Sequence, residues 1–203
     1  VAIREAYRKH IARMFRLYGF NEAQAEARRD AIFRTETALA LVSKSATELR
    51  DPQANYNKMT LKEFKENYPN INLEAMANAE GVKSAYIQEM IVGQPGFMEG
   101  YDKLYAAATA DDLRALIEWD IIQNSASYLT NEIRLANFDF FGKTMSGRKE
   151  EYPLWKRATN QVEAQMGEAL GKMYVARYFP ETSKKMMEQL VRNLQISLGQ
   201  RID

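Results

Sequence analysis

Apolar residues recur at steps of three and four along most of this chain, the spacing that lines one face of an α-helix. The clearest run lies between Pro153 and Pro180, where Leu154, Ala158, Val162, Met166, Ala169, Leu170 and Met173 share one side. Pro153 at a first helical position and Pro180 beyond the end punctuate a helix over residues 153–179. The spacing predicts that this face is buried. Gly167 and Gly171 lie four residues apart within the run, and each costs about 1 kcal/mol relative to Ala in a helix. A second backbone is therefore expected to pack closely against them. Paired glycines at this spacing also occur in membrane helices, but Lys156, Arg157, Glu163, Glu168, Lys172 and Arg177 exclude a span here.

The same periodicity puts Ile3, Tyr7, Ile11, Met14, Phe15 and Tyr18 on one side of a helix from Ala2 to Tyr18, with Gly19 as its stop. Asn21 caps a second helix whose face runs through Ala25, Ile32, Leu39 and Val42 toward Ser43, so the two form a helical hairpin. From Ser45 to Thr60 the pattern fails, and Pro52 with its Asn and Asp neighbours predicts an ordered loop. Thr60 with Glu63, and Thr109 with Asp112, have capping-box spacing. The first opens a short helix that ends before Pro69, with Leu61, Phe64 and Tyr68 as its apolar side; the second opens one with Leu113, Leu116, Ile117, Ile121 and Ile122 inward. Between them Asn72 caps a short helix closed by Gly81, and Pro95 starts another through Phe97, Tyr101, Leu104 and Tyr105. Tyr86 to Val92 is the one plausible strand, at a sheet edge or in a small hairpin. The helix opened by Thr109 either runs on or breaks near Ser125 to Ser127 and resumes to Phe141, ahead of a surface loop over residues 142–152. Thr182 or Ser183 caps a last helix with Met186, Met187, Leu190, Val191, Leu194 and Leu198 inward.

No repeat, low-complexity tract or linker interrupts the series. The expected fold is mostly α: a single multi-helix domain over residues 1–203, with at most one short strand or hairpin near Tyr86 to Val92. A chain of 203 residues can bury a substantial core without disulfides or metals. Its 28 basic and 27 acidic side chains give a net charge of +1, without a basic track for nucleic acid. The absence of Cys excludes thiolate catalysis and thiolate metal sites. No apolar run is long enough to span a bilayer, the opening VAIREAYRKH is not a signal peptide, and a start at Val suggests a mature or excised segment.

Candidate chemistry is sparse. His10 is the only histidine, so no pair of imidazoles can meet on one zinc ion from successive helical turns. Beside Lys9 in a charged helix, it reads as solvated or locally bonded rather than as a ligand or general base. Asp111 with Asp112, and Glu150 with Glu151, could share a metal or a proton, but both pairs sit where a helix N-terminus favours acids. GQPGFMEG lacks the ending of a phosphate loop. The 20 Tyr and Phe residues, at helical spacing, read as core aromatics. Met166, Met173, Met186 and Met187 read as core filling ahead of an adaptable partner groove. Arg50, Asp51, Tyr56 and Asn57 read as a loop bonded to its own backbone ahead of an interdomain contact. The residues themselves thus supply no catalytic, cofactor-binding or metal-binding position.

Several stretches in order resemble the N-terminal, non-catalytic helical domain of the neprilysin and endothelin-converting-enzyme family of zinc metallopeptidases. They are ETALA at Glu36 to Ala40, RDPQANYNKMTL at Arg50 to Leu61, Trp119 followed by Ile121 and Ile122, FFGKTMSG at Phe140 to Gly147, WKR at Trp155 to Arg157, and MGEALGKMYVARYFP at Met166 to Pro180. Ala158 stands where vertebrate members carry a cysteine, and Asp120 where a basic residue is common, so the resemblance is to a bacterial-type member. It implies an excised portion of the non-catalytic half of a larger peptidase. Zinc belongs to the parent and no cofactor to this chain, because the family's H-E-x-x-H is not here. The family's substrate-carboxyl arginines precede the matched portion and its substrate-backbone residues follow it, so no site residue is carried over.

The implied role is to face the catalytic zinc domain of the same parent chain across a cavity and restrict entry to short peptide substrates. Inactivity of the piece alone is expected, with neither nucleic acid nor a membrane span as a partner. The family places the parent in the cell envelope or periplasm, with the cytoplasm left open. The alternative is a free-standing helical protein–protein interaction module. A third reading, carboxylate–metal catalysis by acids converging from separate helices, requires four acids around one cavity.

Overall fold

Asn21 accepts a hydrogen bond from Gln24 N while the Gln24 side chain accepts from Asn21 N, and this capping box separates α1 (Ala2–Leu17) from α2 (Glu22–Val42). Gly19, at φ +104°, makes the turn that lets the two helices fold back as the expected hairpin. The computed structural model describes residues 2–202. The backbone falls into two compact units, residues 1–149 and 150–203. It is mostly helical, with nine α-helices and one two-stranded sheet among the described residues.

The larger core of the first unit joins Ile11, Met14 and Phe15 of α1, Ala25 and Ile32 of α2, and Ala115, Trp119 and Ile122 of α6 (Ala110–Ser125). Ile133 and Ala136 of α7 (Asn131–Asn137) complete it. The inward face of α6 differs from the expected one, since Ile117 and Ile121 are 61% and 52% exposed. Trp119 decides the rotation. Its indole is the largest apolar group on the helix, and burying it turns the two isoleucines outward.

A second cluster forms where α3 (Leu61–Asn67), α4 (Leu73–Ala79) and α5 (Pro95–Ala107) meet the sheet; Phe64, Tyr68, Ile71 and Val92 are its buried members. Strands β1 (Lys58–Thr60) and β2 (Glu89–Ile91) pair antiparallel, with Met59 opposite Met90. β2 lies within the expected strand. β1 lies in the segment expected to be loop, and α3 and α4 separate it from β2, so the pair is not a hairpin. Three residues carrying one apolar side chain leave no alternation to read. Gly100 brings α5 against α2, because a Cβ there would stand 2.7 Å from Val42 Cγ2.

After α7 the chain continues as a π-helix, Phe138–Met145, through residues expected to open a surface loop. Thr144 and Ser146 hydroxyls donate to the carbonyls of Asp139 and Phe141 at 3.1 and 2.7 Å, five residues back, and Gly142 is buried beneath the Phe138 ring. Gly147, at φ +66°, ends the element.

The second unit holds α8 (Leu154–Tyr178) and α9 (Glu181–Ile202). Pro153 is the residue before α8 rather than its first, and α9 starts at Glu181, ahead of Thr182 and Ser183. Met166, at φ −131° and ψ 22°, kinks α8 just before Gly167. The apolar faces expected to be buried are exposed: neither helix has a buried residue, and Met173 and Leu194 are 71% and 60% open. A Cβ at Gly167 or Gly171 would meet nothing within 4 Å. Periodic spacing states that a face gains from being covered; it does not say which polypeptide covers it.

Candidate functional site

His10, expected to be solvated or locally bonded, is 5% exposed, because α1 turns it onto the aromatic residues of α6 and the π-helix. Its ring stacks on Phe140 at 4.9 Å and meets the edges of Trp119 and Phe141 at 5.7 and 5.4 Å. Nε2 is buried without a hydrogen-bond partner. Burial lowers the imidazole pKa to about 4; the Arg13 charge adds to the effect and Asp139 opposes it. One turn earlier, Tyr7 Oη donates to Glu36 Oε1 at 2.9 Å and accepts from Trp119 Nε1 at 3.1 Å, tying α1, α2 and α6 together. Burial and the Glu36 charge push the phenol up, and burial raises the Glu36 carboxyl against the Tyr7 hydrogen bond. Neither contact has a sequence signal beyond the carboxylate of Glu36 itself.

Asp111 and Asp112 are held by neighbouring groups. Asp112 accepts from Thr109 N and Oγ1 at 3.2 and 2.8 Å and pairs with Arg34 of α2, while Asp111 pairs with Arg114 at 2.8 Å. The loop over residues 45–57 bonds largely to itself. Asp51 Oδ1 accepts from Gln53 N and Ala54 N at 2.9 and 3.1 Å, and Asn57 Nδ2 donates to Ala54 O and to Val92 O beyond β2 at 3.2 and 3.0 Å. Arg50 and Tyr56 face solvent. Against this loop lies a cleft of about 590 Å³ walled by Phe64, Ile71, Met76, Met90, Phe97 and Met98. Met76 and Met90 were not singled out by the sequence, because their elements are too short for a periodic face.

The model of peptidase family M13 matches residues 1–203. This chain belongs to that family. Human neprilysin is 24% identical over 194 residues, covering 90% of this chain and 26% of neprilysin. The neutral endopeptidase of Lactobacillus helveticus is 25% identical over 195 residues, covering 96% of this chain and 30% of that protein. Among solved structures, the zinc metalloprotease Zmp1 of Mycobacterium tuberculosis in its open state superposes with a TM-score of 0.87 at 32% identity, covering 96% of this chain and 30% of Zmp1. Its complex with an inhibitor gives 0.86 at the same identity. The chain thus spans about a quarter to a third of its relatives' length, as an N-terminal domain of an M13 zinc metallopeptidase.

A catalytic zinc site draws on several imidazoles and carboxylates converging with one open position; the single imidazole of this M13 segment is enclosed by three aromatic rings. Among the described residues no three His, Cys, Asp or Glu side chains stand together as a metal site. No helix among them is long and apolar enough to cross a membrane.

Proposed function

We propose that this chain is part of the non-catalytic helical half of an M13 zinc metallopeptidase, where it walls the reaction chamber and admits only short peptides. In the parent, both units belong to that half. The observation that carries the reading is the match to this family over residues 1–203. The open apolar faces of α8 and α9 support it, since a helix exposing this much apolar surface gains from a covering polypeptide. The work of the wall is steric: rigid helices exclude bulky folded substrates without touching the reacting bond, and the chemistry stays with the zinc domain.

Two measurements test this. The isolated chain is expected to give no chelator-sensitive cleavage of a short fluorogenic peptide, and turnover restored by added zinc would overturn the proposal. In the full-length enzyme, loosening the wall by Gly100→Val is expected to raise kcat/KM for a long peptide relative to a short one. An unchanged ratio in a folded variant counts against sieving by this segment.

A further inference from the structure

The cleft of the first unit has a polar feature that its apolar walls do not explain. Its volume, about 590 Å³, lies within the range of about 300–1,000 Å³ common to small-molecule sites. Met76, Met90 and Met98 supply unbranched, polarisable side chains that re-pack around different apolar shapes. Lys44 stands at the rim. Its backbone N–H donates to Gln94 Oε1 at 2.9 Å, and its Nζ donates to Asn55 Oδ1 at 2.7 Å, to Ala54 O at 3.3 Å and to Gly93 O at 3.4 Å. Asn55, Gly93 and Gln94 all line the cleft. All three acceptors of the ammonium are neutral, and two of them are held at long distance. Glu48, whose carboxylate feels the Lys44 charge, is committed to Ser45 N and Oγ at 2.7 and 2.6 Å. A half-buried cation with neutral partners at the mouth of an apolar cleft is complementary to an anion carrying an apolar body.

We infer that the cleft binds a small monocarboxylate with an unbranched apolar chain. The chain lies among Met76, Met90, Met98 and Phe97, and the carboxylate bonds to Lys44 Nζ in place of the two long carbonyl contacts. A charge-assisted hydrogen bond is stronger than the neutral ones it displaces, and the alkyl chain gains by leaving water. This site is independent of the sieving role.

The test titrates decanoate, below its aggregation concentration, into the full-length protein carrying ¹³C-methyl methionine. Saturable shifts are expected at the Met76, Met90 and Met98 methyls. 1-Decanol should bind at least tenfold more weakly, and decylamine should leave these resonances unmoved. Lys44→Met should weaken decanoate at least tenfold while Lys44→Arg retains it. If Lys44→Met fails to fold, the comparison of decanoate with decylamine on the unaltered protein decides. Absence of saturable shifts, shifts confined to methionines of α8 and α9, equal binding of the amine, or undiminished binding by folded Lys44→Met would each overturn the assignment.

Discussion

His10 shows how one side chain's surroundings set its chemistry. Its imidazole has a pKa of about 4 when folded, against 6.5 when exposed, so between those values the unfolded chain binds more protons. The contribution is full above about pH 6.5 and lost as pH falls toward 4, amounting to about 3 kcal/mol from the free energy of a pKa shift. Carboxylates with lowered pKa, Asp112 and Asp139 among them, lose theirs below the normal Asp range. Glu36, raised by burial, tilts the curve the opposite way above its ordinary value. Because the chain has one histidine, a single imidazole NMR signal reports the site, and its midpoint is expected near 4. A midpoint above 6 would contradict the aromatic enclosure. Gly142 makes a second prediction at this scale. A Cβ there would lie 2.2 Å from the Phe138 ring, which also faces the Lys143 and Arg148 cations. Gly142→Ala is expected to lower stability by about 1–3 kcal/mol, the usual cost of overpacking, read from a denaturant midpoint.

Among the elements, those announced by local chemistry were legible. Asn21, Thr60, Asn72 and Thr109 all cap where expected, because a cap is a contact between a side chain and a backbone N–H three residues on. Removing the Thr109 hydroxyl takes the cap acceptor from Asp112 N and one of the two cap donors from the Asp112 carboxylate, which keeps its bonds to Thr109 N and Arg34. Thr109→Ala is expected to cost about 1 kcal/mol, and Thr130→Ala less, since its bond to Ile133 N is stretched to 3.5 Å. Equal denaturant midpoints for the two variants would contradict that ordering. Elements set by distant contacts were not legible: β1 exists only because β2 supplies hydrogen bonds from across α3 and α4, and the phase of α6 follows where Trp119 can be buried. The candidate site fared similarly. The loop beside the cleft was apparent from failed periodicity, but the meeting of Met76, Met90 and Met98 was not, since they belong to separate elements.

At the scale of the molecule, α8 and α9 carry long apolar faces and no buried residue. Charges placed on α9 by Leu190→Asp and Leu194→Asp, at positions 48% and 60% exposed, should change the unfolding midpoint of the isolated chain by no more than surface substitutions do, about 0.5 kcal/mol. In the full-length enzyme the same pair is expected to lower the midpoint sharply, because an unpaired charge would be trapped beneath covering polypeptide. Equal small effects in both proteins would show that the face stays open and would count against the proposed wall.

The sequence by itself determined the helical class, most helix ends and membership of the M13 family, because periodicity, caps and ordered motifs act over a few residues and survive in any context. Only the tertiary structure decided that His10 is enclosed, and that Lys44 bonds to residues lining an apolar cleft. Burial and proximity depend on which distant segments meet, and the spacing within one helix carries no record of its neighbours.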